Sequence, residues 1–448
     1  MSQLQAGFSR VNITPPMGIR MRGYLITRHA DGVLDELEIN TIALRHGEKS
    51  VLLMSMDLAN FTIANADAFR ANISQRTGVP VEAIYIQANH THTGPYLLVH
   101  KDDPLEQQYY DLLYTRLADA AQMALDDLKP AKMGWGVSHA PNISFIRRYR
   151  MKDGSVRTNP GVNNPDVLEP VGKVDDEVIV LRFDREGGDS LVLMNFADHP
   201  DTVGGCKISA DWPGFARREL EKAIDGVKSV LFNGAQGDVN HVNVRPKGGD
   251  LNGMILDFDD VSRGYSHARH MGRVIAGAVM QVYDKVEYKD VDSIDYINRG
   301  IDIPSNMPKP EEMEEARYLV QMHKEGRDSE LPYKGMMLTT KVAEASRKIR
   351  LEHGPESFHL TLSGVAIGNV AMVGIQGEPF NGIGCGLKEA EGWDAVLPTC
   401  ITNGGHGYYP MKDSYDEGGY EAGTSNYKAG VAELLIEEGK KMLAQLRK

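Results

Sequence analysis

The apolar residues of this chain fall into short unbroken runs, separated by longer stretches in which they recur every third or fourth position. SVLLMSMD (Ser50–Asp57) and EAIYIQAN (Glu82–Asn89) are runs of the first kind and predict buried strands. Between them, ADAFRANISQRTG (Ala66–Gly78) has helical spacing and closes on glycine. A long helical pattern follows from Pro104 to Leu128, with proline at its start. DEVIVLRFD (Asp176–Asp184) and SLVLMNFADHP (Ser190–Pro200) predict two strands joined through REGGD as a hairpin. DWPGFARRELEKAID predicts a helix with Asp211 as its N-cap and Pro213 in its first turn, and KSVLFNGAQGD a strand that runs into a glycine turn. The alternation predicts an α/β fold: a mixed, twisted β-sheet flanked by helices, with antiparallel pairs among parallel ones.

Two stretches break the pattern. Residues 143–176 form a polar, Gly/Pro/Asn-rich excursion with little periodicity, as expected of a long loop that is functional or disordered. Residues 304–355 open with a charged segment that reads as a helical insertion, after which strand-like patterning resumes in HLTLSGVAIGNVAMVGIQGEPF (His359–Phe380). No repeat, heptad run or composition break divides the chain, which predicts one domain over residues 1–448.

Polar residues with metal or catalytic chemistry gather where apolar runs end. His90 and His92 follow the 82–89 strand at i and i+2; if the extended geometry continues, both imidazoles project to the same side. Asp198, His199 and Asp201 end the next run, Gly237 and Asp238 another, and Glu378 closes VAMVGIQGEPF, where an unpaired carboxylate beside a buried strand would be costly. Strand ends are where α/β folds collect ligands, and two histidines with a carboxylate are a familiar zinc set. The alternative for each residue singly is a turn or capping role.

Composition narrows the function classes. Hydrophobic residues make up 42% and charged residues 25% of 448, a globular balance, while the formal charge of −13 argues against a general nucleic-acid or anionic-membrane partner. The three cysteines, Cys206, Cys385 and Cys400, form no CxxC, which predicts free thiols and a reducing cytoplasmic setting. The N-terminus shows no signal peptide and no apolar run is long enough to span a membrane. A small-molecule substrate is therefore the expected partner, with a homo-oligomer left open. AQGDV lacks the Gly-Lys-Ser/Thr ending of a phosphate loop.

Six ordered segments carry a resemblance: NITPPMGIRMRGY, ANHTHTGP, NFADHPD, NGAQGDVN, IQGEPF and NGGHGYYPMKDSYDEGGYEAGTS. Together the chain resembles the catalytic domain of the neutral (non-lysosomal) ceramidases across nearly its whole length. The last segment aligns without a gap, with Tyr408, Tyr415, Tyr420 and Glu421 in register. The resemblance implies a metal site at strand ends in which His90, His199, Glu378 and Tyr408 bind one zinc ion per chain. It also implies that His92 faces the substrate and that Tyr420 helps to position it. Two departures stand out. Asn240 and His241 occupy the positions of the family's serine and the following proline, so a serine nucleophile is excluded there. The chain ends at Lys448, without room for the C-terminal domain of true ceramidases.

These readings predict a zinc-dependent hydrolase that cleaves a linear amide, or an ester, of a small polar substrate through a metal-activated water. His92, Tyr420 and His241 are the catalytic candidates, with His406 a further proton donor. In the excursion, Arg147 and Arg148, followed by Arg150, Lys152 and Arg157, are candidates to grip an anionic or polyhydroxylated substrate, with Asn240 beside them. Asp57 is a candidate to orient a liganding histidine or to cap a helix. The alternatives are a metal-dependent lyase or isomerase acting on a carbonyl substrate, a true ceramidase, and a non-catalytic binding protein.

Overall fold

The computed structural model describes residues 3–21, 23–97, 103–255 and 264–447. Its largest element is a mixed sheet with strands in the order Val227–Asn233, Ser190–Phe196, Glu177–Arg185, Lys129–His139, Gln5–Asn12, Glu38–His46, Lys49–Met56 and Ile84–Ala88. Glu287–Lys289 adds a ninth strand beside Lys129–His139. Pairing is parallel at the two edges, where Ser190–Phe196 runs beside Val227–Asn233 and Lys49–Met56 beside Ile84–Ala88. The pairings between them are antiparallel. The REGGD connection is a hairpin, with Phe183 opposite Leu191. The α/β fold with a mixed sheet flanked by helices is thus as the apolar pattern predicts.

The sheet curls until its edges meet. Gln87, near the end of one edge strand, donates to the carbonyl of Asn233 at the end of the other (2.6 Å) and to that of Cys400 (2.9 Å). Asn233 N–H donates back to Gln87 Oε1. Ser55 Oγ donates to the Leu231 carbonyl at 2.6 Å. The concave side is filled by Ile42, Leu53, Tyr85, Leu193 and Phe232, all buried. The helices Asp211–Ala223 and Tyr265–Tyr283 cover the convex side of the 177–196 hairpin through Trp212, Leu220, Met271 and Val279. A second sheet, Ile294–Pro304, Ser357–Ile367, Val370–Gly374 and Ala395–Thr399, packs against the helix Val431–Leu446 and brings its strand ends to the same place.

Several local expectations need correction. The 63–77 helix starts earlier than its apolar spacing suggests, because Thr62 Oγ1 accepts from Asn65 N–H and caps it. Asp211 does not cap the next helix from outside. It is the first helical residue, has φ +55°, and accepts from the N–H groups of Val203 and Trp212. The excursion is not an open loop: Arg148–Met151, Val156–Thr158 and Val167–Pro170 form a three-stranded sheet, and Phe145–Ile146 pairs with Val239–Asn240. Its strands, two to four residues long, are too short to leave a period-two signature. The 304–355 insertion does hold two helices, Met313–Lys324 and Met336–Leu351. All three cysteines are free, and no described helix is long and apolar enough to cross a membrane. Arg22 of the opening motif lies outside the described residues.

Candidate metal centre

The 84–88 strand stops before the histidines do. His90 sits at φ +75°, a conformation that a non-glycine residue adopts only when its surroundings hold it there. What holds it is a pair of bonds: His90 N–H donates to the Leu58 carbonyl at 2.9 Å, and its Nδ1 pairs with the Ala59 carbonyl at 2.6 Å. The expectation that a continuing strand aims His90 and His92 together is therefore wrong in mechanism. The two rings are nevertheless brought together by the turn, with centroids 4.8 Å apart and planes almost perpendicular.

His199 enters from the end of the 190–196 strand. Its Nδ1 pairs with the Gln236 carbonyl at 2.9 Å, which leaves Nε2 facing inward. One residue ties both histidine turns in place: Asn233 Nδ2 donates to the carbonyls of Asn89 (3.0 Å) and Asp198 (2.9 Å), the residues preceding His90 and His199. Glu378 arrives from the second sheet. Gly237 lets its backbone approach, since a β-carbon there would lie 2.6 Å from the Glu378 carbonyl oxygen.

Four side chains converge as a result. Glu378 Oε2 lies 3.2 Å from His90 Nε2 and 3.4 Å from His199 Nε2, and His92 Nε2 lies 3.2 Å from His90 Nε2. The ligand atoms of His90, His92 and His199 all fall within 4.8 Å of one another, a group that could hold a metal ion. All four residues are buried, and among the described residues His199 Nε2 and Glu378 Oε2 have no hydrogen-bond partner. Buried polar atoms are nearly always satisfied, so two orphans aimed at each other fit a cation between them. The outward nitrogens of His90 and His199 are both fixed by carbonyls, the usual arrangement for metal-binding imidazoles.

The electrostatics agree. Burial lowers the His90 pKa, but Glu378 more than offsets it and the net shift is upward. Glu378 is raised by burial and lowered more strongly by His90, to about 2. Burial and the neighbouring His90 push His92 down to about 3, and burial with Arg147 pushes His199 well below its ordinary value. At neutral pH the pocket thus holds an ionised carboxylate and at least two neutral imidazoles.

Tyr408 is the register partner of Glu378 in a short parallel pair, and its ring stacks on His199 at 6.4 Å between centroids. Tyr420 meets Tyr408 edge-on at 5.8 Å. Arg147 lies over the Tyr408 ring at 5.4 Å, with Nε on Glu421 at 2.6 Å and Nη2 on the Gly237 carbonyl. Arg148 donates to Ser414, Glu417 and the Gly418 carbonyl. Both guanidinium groups are buried and engaged with protein, contrary to the expectation that they are free to grip substrate. Asn240 is likewise committed, to Asn159 and to its own turn.

His241 is fully buried beside Asp201, Nδ1 to Oδ1 at 3.2 Å, one layer behind His92. His406 packs against Phe358 and Tyr427 and not against the three histidines. Asp57 orients no histidine ring and caps no helix. It forms a buried two-point ion pair with Arg217 (2.6 and 3.0 Å) and accepts from Asn89 Nδ2. The sequence reading missed Asn233, the Glu421–Arg147 pair, and the wall behind His92 made by Gly23, Tyr24 and Arg28. Tyr24 meets the His92 ring edge-on at 5.5 Å, and Arg28 Nη2 donates to the His92 carbonyl. The only sequence signal for that wall is the opening motif, which contains Gly23 and Tyr24.

Comparison with solved structures gives the fold a relative. The neutral ceramidase of Pseudomonas aeruginosa superposes with a TM-score of 0.73 over 100% of this chain and 75% of its own, at 17% identity. A ceramidase structure described as complexed with C2 gives the same TM-score and identity over 76% of its length. The fold is ceramidase-like. No protein-family model matches the chain, and no curated protein matches it in sequence.

Proposed function

We propose that this protein is a zinc-dependent hydrolase of linear amides. The observation that carries the reading is the convergence of His90, His92, His199 and Glu378 with two orphaned, mutually facing donor atoms. The ceramidase-like fold supports amide chemistry in particular. His90, His199 and Glu378 would hold the ion, with Tyr408 as a fourth ligand. Zinc bound there supplies a nucleophilic water near neutral pH and polarises the carbonyl.

The chain's own groups do the rest. His92 is neutral at pH 7, and with His90 Nε2 occupied its Nε2–H faces the same space. It donates to the carbonyl oxygen as negative charge develops there. The attacking water loses a proton and the leaving nitrogen gains one, so the products are a carboxylic acid and an amine. Asp201 and His241 stand behind His92 as positioning residues. Glu421, through Arg147, fixes Tyr408, and Tyr420 lines the approach. With Asn240 at the serine position, no hydroxyl nucleophile is available there.

The test is the zinc content of purified protein by elemental mass spectrometry, followed by a panel of linear amides and esters. About one zinc per chain, lost in His90→Ala, together with amide turnover, is the expected result. A wild type that takes up no zinc on reconstitution refutes the reading.

A further inference from the structure

A cavity of about 1020 Å³ lies between the excursion, the start of the Met336–Leu351 helix and the tyrosine-rich segment. A relay of contacts links its wall to the histidine cluster. Thr158 and Gly419 line it. Thr158 Oγ1 donates to Glu421 at 2.7 Å, Glu421 holds Arg147, and Arg147 lies over Tyr408. On the same wall Asn159 bonds to Asn240.

The cavity inverts the charge of the protein. The chain carries 49 basic against 62 acidic residues, yet five lysines and arginines but only two glutamates line this space. Both glutamates are already neutralised, Glu344 by Lys348 (2.9 Å) and Glu417 by Arg148 and Arg150 (3.2 and 3.0 Å). Of the cations, Arg347 is 95% buried and bonds only to the backbone carbonyls of Gly423 and Asn306; among the described residues its Nη2 has no partner. Lys334 and Lys428 are exposed on the same walls and make no ion pair among the described residues. Glu344 and Glu312 act on Arg347 only through space and are each paired with Lys348, so this buried guanidinium lacks a direct carboxylate partner and favours an anionic visitor. Met336, Met337 and Ala422 give the cavity an apolar side as well.

We infer that this cavity binds the carboxylate of the substrate, so that the substrate is a linear amide with a carboxylate on the portion remote from the scissile bond, as in an N-acylated amino acid. The inference rests on the amide-hydrolase reading and moves anion recognition from Arg147 and Arg148 to Arg347, Lys334 and Lys428. Planar two-point recognition by Arg347 would set the orientation, and the two lysines would set the charge preference. The geometry separates this site from a lipid amidase, whose neutral substrate has no use for uncompensated cations.

The probes are N-acetyl ω-amino acids of two to eight carbons and their methyl esters, with zinc-loaded protein, read by calorimetric binding and by amine release. At least one acid is expected to bind about tenfold or more tighter than its ester, with a preference that weakens as salt rises. In the double variant Lys334→Glu, Lys428→Glu, whose positions are exposed, the acid-to-ester ratio should fall to about one. Arg347→Gln should do the same if it folds. Equal binding of acids and esters, or a preference that survives in the double variant, overturns the inference. Selective binding without amine release would refute the hydrolase reading and keep the cavity assignment. Amine release without charge preference would do the reverse.

Discussion

Gly23→Ala puts the assignment of His92 to the test. Gly23 has φ +112°, which L side chains rarely adopt, and a β-carbon there would lie 2.4 Å from His92 Cγ and 2.8 Å from His92 Cβ. Carbon atoms rest about 3.5–4.0 Å apart, so at least ~1 Å must be found. His92 cannot easily give it. Its N–H is bonded to the Pro200 carbonyl, its carbonyl to Arg28, and Tyr24 meets its ring. Backbone strain of about 1–3 kcal/mol and overpacking of about 1–3 kcal/mol place the total near 2–6 kcal/mol. The displaced imidazole should lower turnover about 100-fold, since ~1 Å of misplacement at a reacting centre costs about that much. His90, His199 and Glu378 are untouched, so zinc should stay near one per chain. The assay pairs urea unfolding with elemental analysis and amide turnover. Unchanged turnover would show that His92 does not act on the carbonyl, and lost zinc would make it a ligand instead.

Three further perturbations probe the supports of the site. Asn233→Ala removes both donors that hold the His90 and His199 turns and should cost about 2–3 kcal/mol in urea unfolding, with zinc held about tenfold more weakly in chelator competition; unchanged zinc affinity would show that the turns are held elsewhere. Asp57→Ala removes the closer carboxylate of fully buried Arg217, leaving it only Glu38 at 3.3 Å, and should destabilise by about 3 kcal/mol; a loss under ~1 kcal/mol would contradict the pairing described. Glu221 accepts from both Arg10 amino groups and from Ser229, and although burial pushes its pKa up, those bonds hold it below the ordinary carboxylate value. A depressed folded-state pKa stabilises above the unfolded value of about 4.3, and that contribution disappears as pH falls through the folded one. Glu221→Gln should therefore trail the wild type by about 2 kcal/mol at pH 7 and close the gap below about pH 4, as followed by urea midpoints; a gap independent of pH would refute the linkage.

How much of this was legible in the sequence depends on range. The 177–196 hairpin was, because continuous apolar runs bounded by REGGD leave little choice of structure. The polar residues at strand ends were also legible: His90, His199 and Glu378 meet as their positions suggested. The reason given for the His90–His92 pair was not the physical one, since a positive-φ turn held by the Leu58 and Ala59 carbonyls does what a continuing strand was supposed to do. Arg147 and Arg148 show the other limit. A loop arginine reads as available until its partner is known, and Glu421 and Glu417 lie more than 260 residues away. The excursion hid its small sheet because two- to four-residue strands are too short to carry a period. Asn233 and Gly23 gave no signal of their own, since an asparagine or a glycine at a turn is common everywhere.

The bonds that Gln87 makes to strand ends 146 and 313 positions along the chain also set an order of events in time. While the protein is being synthesised, a chain released as far as residue 240 has both edges of the large sheet but neither Glu378 nor Tyr408. Its histidines have no carboxylate to converge on until the second sheet arrives. Contacts of such long separation form late and slowly. On the proposed metal reading, uptake should accordingly be one of the last steps of maturation, and the bound-metal stoichiometry should report how much of a preparation has finished folding.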